Sequence, residues 1–215
     1  MIAVEGIDGA GKSSLAERLV ELLGGSEINH LTRLSPHSGA LLREMVKGDG
    51  DTVRYQDVVP PGLRRAIYTV DALVQFRYLA DRYGSCRNVV FDRWLQTYEA
   101  YCGPFDTHER WYELLEARIP RPTVLFHLRV DPRTALERLA RRGDWTARNW
   151  SADRLLDDLR RLAARYDEMM AGTDHVVLDG NEDAEVVVRQ ALAVLRQGPE
   201  PVAAGAAGPA GGYAR

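Results

Sequence analysis

Beginning at the sixth residue, Gly6-Ile7-Asp8-Gly9-Ala10-Gly11-Lys12-Ser13 fills every position of the pattern G-x-x-x-x-G-K-[ST]. These residue types at this spacing do one kind of chemistry. Glycines let the backbone turn tightly and come close, so that a row of N–H groups can face the oxygens of a polyphosphate. The lysine adds a point charge for the β- and γ-phosphates, and the hydroxyl after it can complete the shell of a Mg²⁺ ion. The contacts expected for a bound nucleoside triphosphate are therefore Gly6, Ile7, Asp8, Gly9, Ala10, Gly11, Lys12, Ser13 and Ser14. A second constellation, Asp92-Arg93, closes the apolar run Val89-Val90-Phe91. In a parallel sheet the carboxyl ends of the strands face the ligand crevice, so this pair is expected on the same rim as the loop. Asp92 can hold a metal or accept a proton, and Arg93 can clamp a second phosphate with its planar fork.

The elements that must position these residues alternate. Strands are predicted at 2–5, 28–34, 88–92, 123–130 and 175–178. Helices are predicted near 12–23, 37–47, 62–83, 95–102, 107–118, 132–141, 151–170 and 182–196. Short β-branched runs between longer helical patterns argue for βαβ units. The fold class expected is α/β, a three-layer P-loop NTPase with a five-stranded parallel sheet flanked by helices. Asp131-Pro132 reads as a helix start, Asp as N-cap and Pro in the first turn. Residues 49–61 read as a surface excursion. One domain is expected over 1–196, with a disordered Ala/Gly/Pro-rich tail at 197–215.

Composition removes several classes. A net charge of −3 over 215 residues gives no reason to expect a nucleic-acid partner or an anionic membrane. Only Lys12 and Lys47 are lysines among the 28 basic residues, which leaves Lys12 conspicuous where the loop requires it. Cys86 and Cys102 are not spaced as a metal motif and read as free thiols. No basic-then-apolar leader and no membrane-length apolar run is present, so a cytoplasmic protein is expected.

Three segments resemble a known family. Glu5-Gly6-Ile7-Asp8-Gly9-Ala10-Gly11-Lys12-Ser13-Ser14 is similar to the E-G-x-D-G-A-G-K-S-T opening of bacterial thymidylate kinases. The run from Asp92 through Tyr101 resembles the family's D-R-Y-x-x-S-x-x-A-Y block, and the run from Leu128 through Arg138 its L-x-V-x-P-E-x-A-L-x-R block. Arg141-Arg142-Gly143-Asp144 through Arg148 stands where the family carries an arginine-bearing lid.

The resemblance implies transfer of the γ-phosphoryl group of ATP to a nucleoside monophosphate, thymidylate or a related pyrimidine deoxynucleotide, with Mg²⁺ at Ser13 and Asp92. It implies catalytic roles for Lys12, Asp92 and Arg93, and for Arg141, Arg142 and Arg148, because the loop itself carries no arginine. Asp8 matches the carboxylate that meets the acceptor's 3′-hydroxyl. Tyr68 matches the aromatic that stacks on the base, and Tyr101 the residue that crowds the ribose 2′-position. Thr97 replaces a serine of the block, and Arg33 matches one residue of a T-R-E-P-G-G segment. The family habit also implies a homodimer, for which Leu63, Ile67, Val70 and Val74 offer an apolar face.

The match departs at the base pocket. Ala72 stands where the family's thymine-reading arginine is expected, with Arg64, Arg65 and Arg77 as possible substitutes. A site built to hydrogen-bond one base loses discrimination when that partner is missing. Two alternatives remain open at this level. One is a deoxynucleoside kinase acting on a free 5′-hydroxyl, with Glu5 or Asp92 as base. The other is a regulatory ATP- or GTP-binding module.

Overall fold

A computed structural model describes residues 1–25, 29–47, 54–82, 86–103 and 111–197. Its five strands are β1 (Ile2–Glu5), β2 (Asn29–Thr32), β3 (Asn88–Asp92), β4 (Val124–Arg129) and β5 (Val176–Asp179). They form one parallel sheet in the order β2-β3-β1-β4-β5. Central β1 pairs Ile2 with Val90 on one side and with Val124 on the other. All four β1 residues are buried, as a strand covered on both faces requires. The sequence-predicted fold class is therefore the observed one. The predicted start of the second strand at Ile28, the tail from 198 onward and residues 49–53 of the 49–61 excursion lie outside the described residues; the rest of that excursion holds a short helix at Tyr55–Val58.

The described helices are α1 (Lys12–Leu22), α2 (Ser38–Met45), α3 (Tyr55–Val58), α4 (Pro61–Arg82), α5 (Leu95–Cys102), α6 (Trp111–Glu116), α7 (Pro132–Arg142), α8 (Trp145–Asn149), α9 (Ala152–Ala171) and α10 (Ala184–Gln197). The loop-following helix α1 packs on β1, β2 and β3 and against α10, while α9 packs against α5, α7 and α8. The start signal at Asp131-Pro132 holds: Asp131 accepts from Arg133 N to cap α7, with Pro132 in the first turn, and Ser151 likewise accepts from Arg154 N to cap α9. On α9, Leu155, Leu159, Leu162 and Tyr166 are buried and Leu156 is half-buried, an apolar stripe at helical spacing. Two short helices were not anticipated. Both α3 and α8 are too brief to show a period, and only the Asp144 cap, accepting from Thr146 N, marks α8 in advance.

Candidate active site

The phosphate loop joins β1 to α1 in a conformation that excludes side chains at two points. Gly6 has φ +145°, and a Cβ there would fall 2.5 Å from Leu128 O; Gly9 has φ +81°, and its Cβ would fall 2.6 Å from Ala135 O. Lys12 is buried and its Nζ donates to Ile7 O at 2.7 Å, folding the ammonium over the loop it serves. Burial, and after it the Arg93 charge, pushes Lys12 down to about 8. The Ser13 hydroxyl donates to Asp92 Oδ2 at 2.7 Å, and Arg33 Nε stands 3.5 Å from the same oxygen. The other oxygen, Asp92 Oδ1, is buried and has no hydrogen-bond partner. A serine hydroxyl beside an orphaned buried carboxylate oxygen is a donor set that suits a hard divalent cation.

Next to this pair lies a closed set of three residues. Arg93 has φ +90°, uncommon for a side-chain-bearing residue, and its backbone N–H donates to Val4 O at 3.0 Å. That turn aims its guanidinium back at the loop, where Nη2 donates to Asp8 Oδ1. Tyr101 Oη donates to Asp8 Oδ2 at 2.8 Å, and the Arg93 guanidinium lies 5.5 Å from the Tyr101 ring. Burial alone would raise the Asp8 carboxyl, but the charges of Arg93 and Lys12, with the Tyr101 hydrogen bond, hold it well below the usual range. Lys12, Ser13, Asp92, Arg93, Asp8, Tyr101 and Arg33 thus converge on the rim where the sequence placed them.

Other expected residues stand elsewhere. Thr97 faces away from the loop's anion cradle, donating from its backbone N (2.9 Å) and hydroxyl (2.8 Å) to Glu5. Tyr68 stacks on Tyr98, ring centroids 5.0 Å apart, so one of its faces is already covered. Trp94 and Tyr98 are buried packing residues, whereas Tyr101 reaches Asp8 beside the loop. Arg142 pairs with Asp144, whereas Arg141 and Arg148 are exposed and unpaired among the described residues. At the base pocket Ala72 is fully buried in the core. Arg65 is committed to Glu99 and Glu116, and Arg77 is exposed. Arg64 donates to the carbonyls of Gln56 (2.7 Å) and Tyr101 (3.3 Å), yet its Nε is buried without a partner. Of the three possible substitutes, Arg64 is the one with a buried donor left unpartnered.

Sequence reasoning missed three features. Glu5, entirely buried, accepts from Trp94 N, Thr97 N, Thr97 Oγ1 and Tyr166 Oη, and so anchors the start of α5 beneath the site. Arg138 donates to Gly180 O at 2.8 Å and to Ala10 O at 3.3 Å, bracing the loop against the β5–α10 turn. A cleft of about 280 Å³ runs beside the loop, lined by Gly11, Ser14, Arg18, Arg138, Gly180 and Glu182 among others. No signal in the sequence brings residues so far apart together except the parallel topology itself.

Residues 4–191 match the model of the family described as Thymidylate kinase. The chain belongs to the thymidylate kinase family. Relatives span nearly its whole length. A thymidylate kinase of Xanthomonas campestris pv. campestris (strain B100) is 33% identical over 202 residues, covering 91% of this chain and 82% of its own. A probable thymidylate kinase of Sulfurisphaera tokodaii is 23% identical over 194 residues, covering 90% of this chain and 94% of its own. Among solved structures, a deoxyadenosine kinase from M. mycoides with dCMP and a flexible dCDP bound superposes with a TM-score of 0.60 at 17% identity, over 91% of this chain and 98% of that one. At that identity the likeness is one of fold. This thymidylate kinase family member is an ATP-dependent nucleotide kinase, and in its crevice the phosphate loop stands beside the Arg93 guanidinium.

Proposed function

We propose that this kinase transfers the γ-phosphoryl group of ATP to the 5′-phosphate of a pyrimidine deoxynucleotide, with thymidylate the first candidate. The observation that carries the reading is the state of the carboxylates around the crevice. Glu5 has both oxygens filled by donors, Asp8 is held as an anion by Arg93 and Tyr101, and Asp92 is bonded to Ser13 and oriented for a cation. Glu5 and Asp8 have no oxygen without a donor, and in this reading the unpartnered Oδ1 of Asp92 faces the cation, so none is left to take a proton from a sugar hydroxyl, which a nucleoside acceptor demands. A monophosphate acceptor needs no such base, because its oxygens are already anionic at neutral pH. What it needs is charge neutralisation and alignment, the main content of phosphoryl transfer.

In this reading Lys12 leaves Ile7 O for the β- and γ-phosphates, and the loop N–H groups hold the donor. Mg²⁺ fits at Ser13 and Asp92, where it would offset charge on the phosphates. Arg93 takes the acceptor phosphate with the part of its fork that Asp8 leaves unused, and Arg141, Arg142 and Arg148 are the lid's candidates for the charge that develops in transfer. Asp8 and Tyr101 line the sugar. With Ala72 in the core and Arg64 holding one spare donor, discrimination between pyrimidine bases is expected to be relaxed. A homodimer and a cytoplasmic setting complete the reading; Cys86 and Cys102 are free thiols.

The test is ADP release from ATP, measured across all nucleoside monophosphates and nucleosides with Mg²⁺ present. Turnover with thymidylate or another pyrimidine deoxynucleoside monophosphate is expected. Turnover with nucleosides alone would overturn the proposal.

A further inference from the structure

Arg54 was not singled out by the sequence, yet it joins two parts of the molecule that no motif connects. It is the N-cap residue of α3, which is tied to α4 on the acceptor side: Arg64 Nη1 donates to Gln56 O at 2.7 Å, and Tyr68 Oη to Tyr55 Oη at 3.3 Å. From there its guanidinium reaches the opposite wall. It lies 5.2 Å from the ring of Trp145, the first residue of α8, and 5.1 Å from the ring of Trp150, the C-cap of the same helix. Trp150 receives a second guanidinium, from Arg154 on α9, at 4.1 Å. One cation thus straddles both ends of a five-residue helix that also carries Arg148. Planar guanidinium groups stack on indole faces more effectively than an ammonium does.

We infer that Arg54 is a positioning residue for phosphoryl transfer, seating α8 against the acceptor side and so fixing where the basic segment 141–148 stands. The inference rests on the proposed reading of that segment as the catalytic lid. The clasp is also built to release. Arg54 Nη1 is buried with no hydrogen-bond partner, a cost that works directly against the stacking gain. A contact weakened in this way can be given up, as a lid that must open for product release requires. No carboxylate pairs with Arg54 among the described residues, so the two indoles are its contacts there.

The test compares Arg54→Ala, Arg54→Lys, Trp145→Leu and the Arg54→Ala/Trp145→Leu double variant. Two measurements are made: kinetics with ATP and thymidylate, or the monophosphate that the screen returns, and intrinsic tryptophan emission without nucleotide. Arg54→Ala is expected to lower kcat on the order of tenfold, with KM for either substrate within about twofold of the parent value. Arg54→Lys should recover part of the rate. The double variant should be no slower than Trp145→Leu alone, because both remove one interaction. Emission should change in Arg54→Ala. A raised acceptor KM at unchanged kcat would make Arg54 a direct ligand and overturn the inference, as would additive losses in the double variant. Trp145→Leu opens the clasp from its other side and keeps the test sound should Arg54→Ala fail to fold. The emission arm needs no acceptor: if no monophosphate is turned over, the proposed function fails while the clasp is still read, and unchanged emission in Arg54→Ala refutes the clasp on its own.

Discussion

Ser13 and Asp92 meet across the crevice, the hydroxyl at the start of α1 donating to the carboxylate at the end of β3 over 2.7 Å. This bond joins the phosphate loop to the strand whose end leads into Arg93. It leaves Asp92 Oδ1 buried and unpartnered, a cost of about 1–3 kcal/mol or more for a charged group unless a ligand offsets it. Asp92→Asn is therefore expected to fold normally and to bind ATP alone as the parent does. Its dependence on free Mg²⁺ should shift upward by roughly 10–100-fold. Rate measured against free Mg²⁺ checks this, and an unchanged curve would remove Asp92 from the metal site.

Arg93 and Asp8 hold each other in place, with Tyr101 closing the set. Arg93→Ala should lower kcat/KM for the acceptor by about 10³-fold or more, while ATP affinity measured by calorimetry stays near the parent value. Equal losses on both sides would sink the assignment. Part of the damage comes from Asp8, which loses its cation and then repels an incoming phosphate. Asp8→Asn in the Arg93→Ala background should therefore recover some acceptor use, a departure from additivity that a structural defect would not produce.

How much of this was legible in the residues follows from the range of each signal. The loop at Gly6–Ser13 was readable because all its chemistry is local, and its neighbours Ile2–Val4 and Ser14–Val20 carry strand and helix patterns of their own. Asp92 and Arg93 were readable because a parallel sheet sends every strand end to one rim. Glu5 was not. Nothing in an isolated glutamate at a strand end says that Trp94, Thr97 and Tyr166 will bring donors to it. The surroundings of Tyr68 were not legible for a related reason: its neighbour in space is Tyr98, thirty positions along the chain, and that stack covers one face of its ring. Arg54 was invisible because cation–π contacts have no sequence period.

His127 carries a pH prediction. It is 4% exposed, stacked on Tyr166 with ring centroids 5.7 Å apart and lying 5.8 Å from His175. Burial, then the neighbouring His175, pushes its ring down to about 4, with Asp167 opposing and Arg129 adding to the shift. In the unfolded chain the same ring titrates near its ordinary value of about 6.5. The unfolded state therefore takes up a proton that the folded state refuses as pH falls. The stability contribution is fully present above about pH 6.5 and is lost on the way down to 4, to the extent of about 3 kcal/mol. Urea unfolding at about pH 7.5 and about pH 5 should show about 2 kcal/mol of this loss, and His127→Phe should reduce it while keeping the ring stack. An equal loss in the variant would assign the acid sensitivity to other groups.

The last prediction concerns α4, whose two sides do different work. Arg65, Thr69 and Ala72 are buried toward the fold, whereas Leu63, Val70 and Val74 are 48%, 50% and 49% exposed along one outward stripe. Leu114, in α6 packed beside α4, is 75% exposed. Apolar residues at helical spacing on a solvent face mark a surface that a partner covers, and a second copy of the same chain is the simplest such partner. Around a two-fold axis every substitution appears twice, so Val70→Glu brings two like charges into one apolar contact and cannot be relieved by sliding. Sedimentation should find the parent at twice the chain mass and Val70→Glu at the chain mass, with the variant's melting temperature now independent of protein concentration. A parent that sediments as a monomer at micromolar concentration would overturn the dimer.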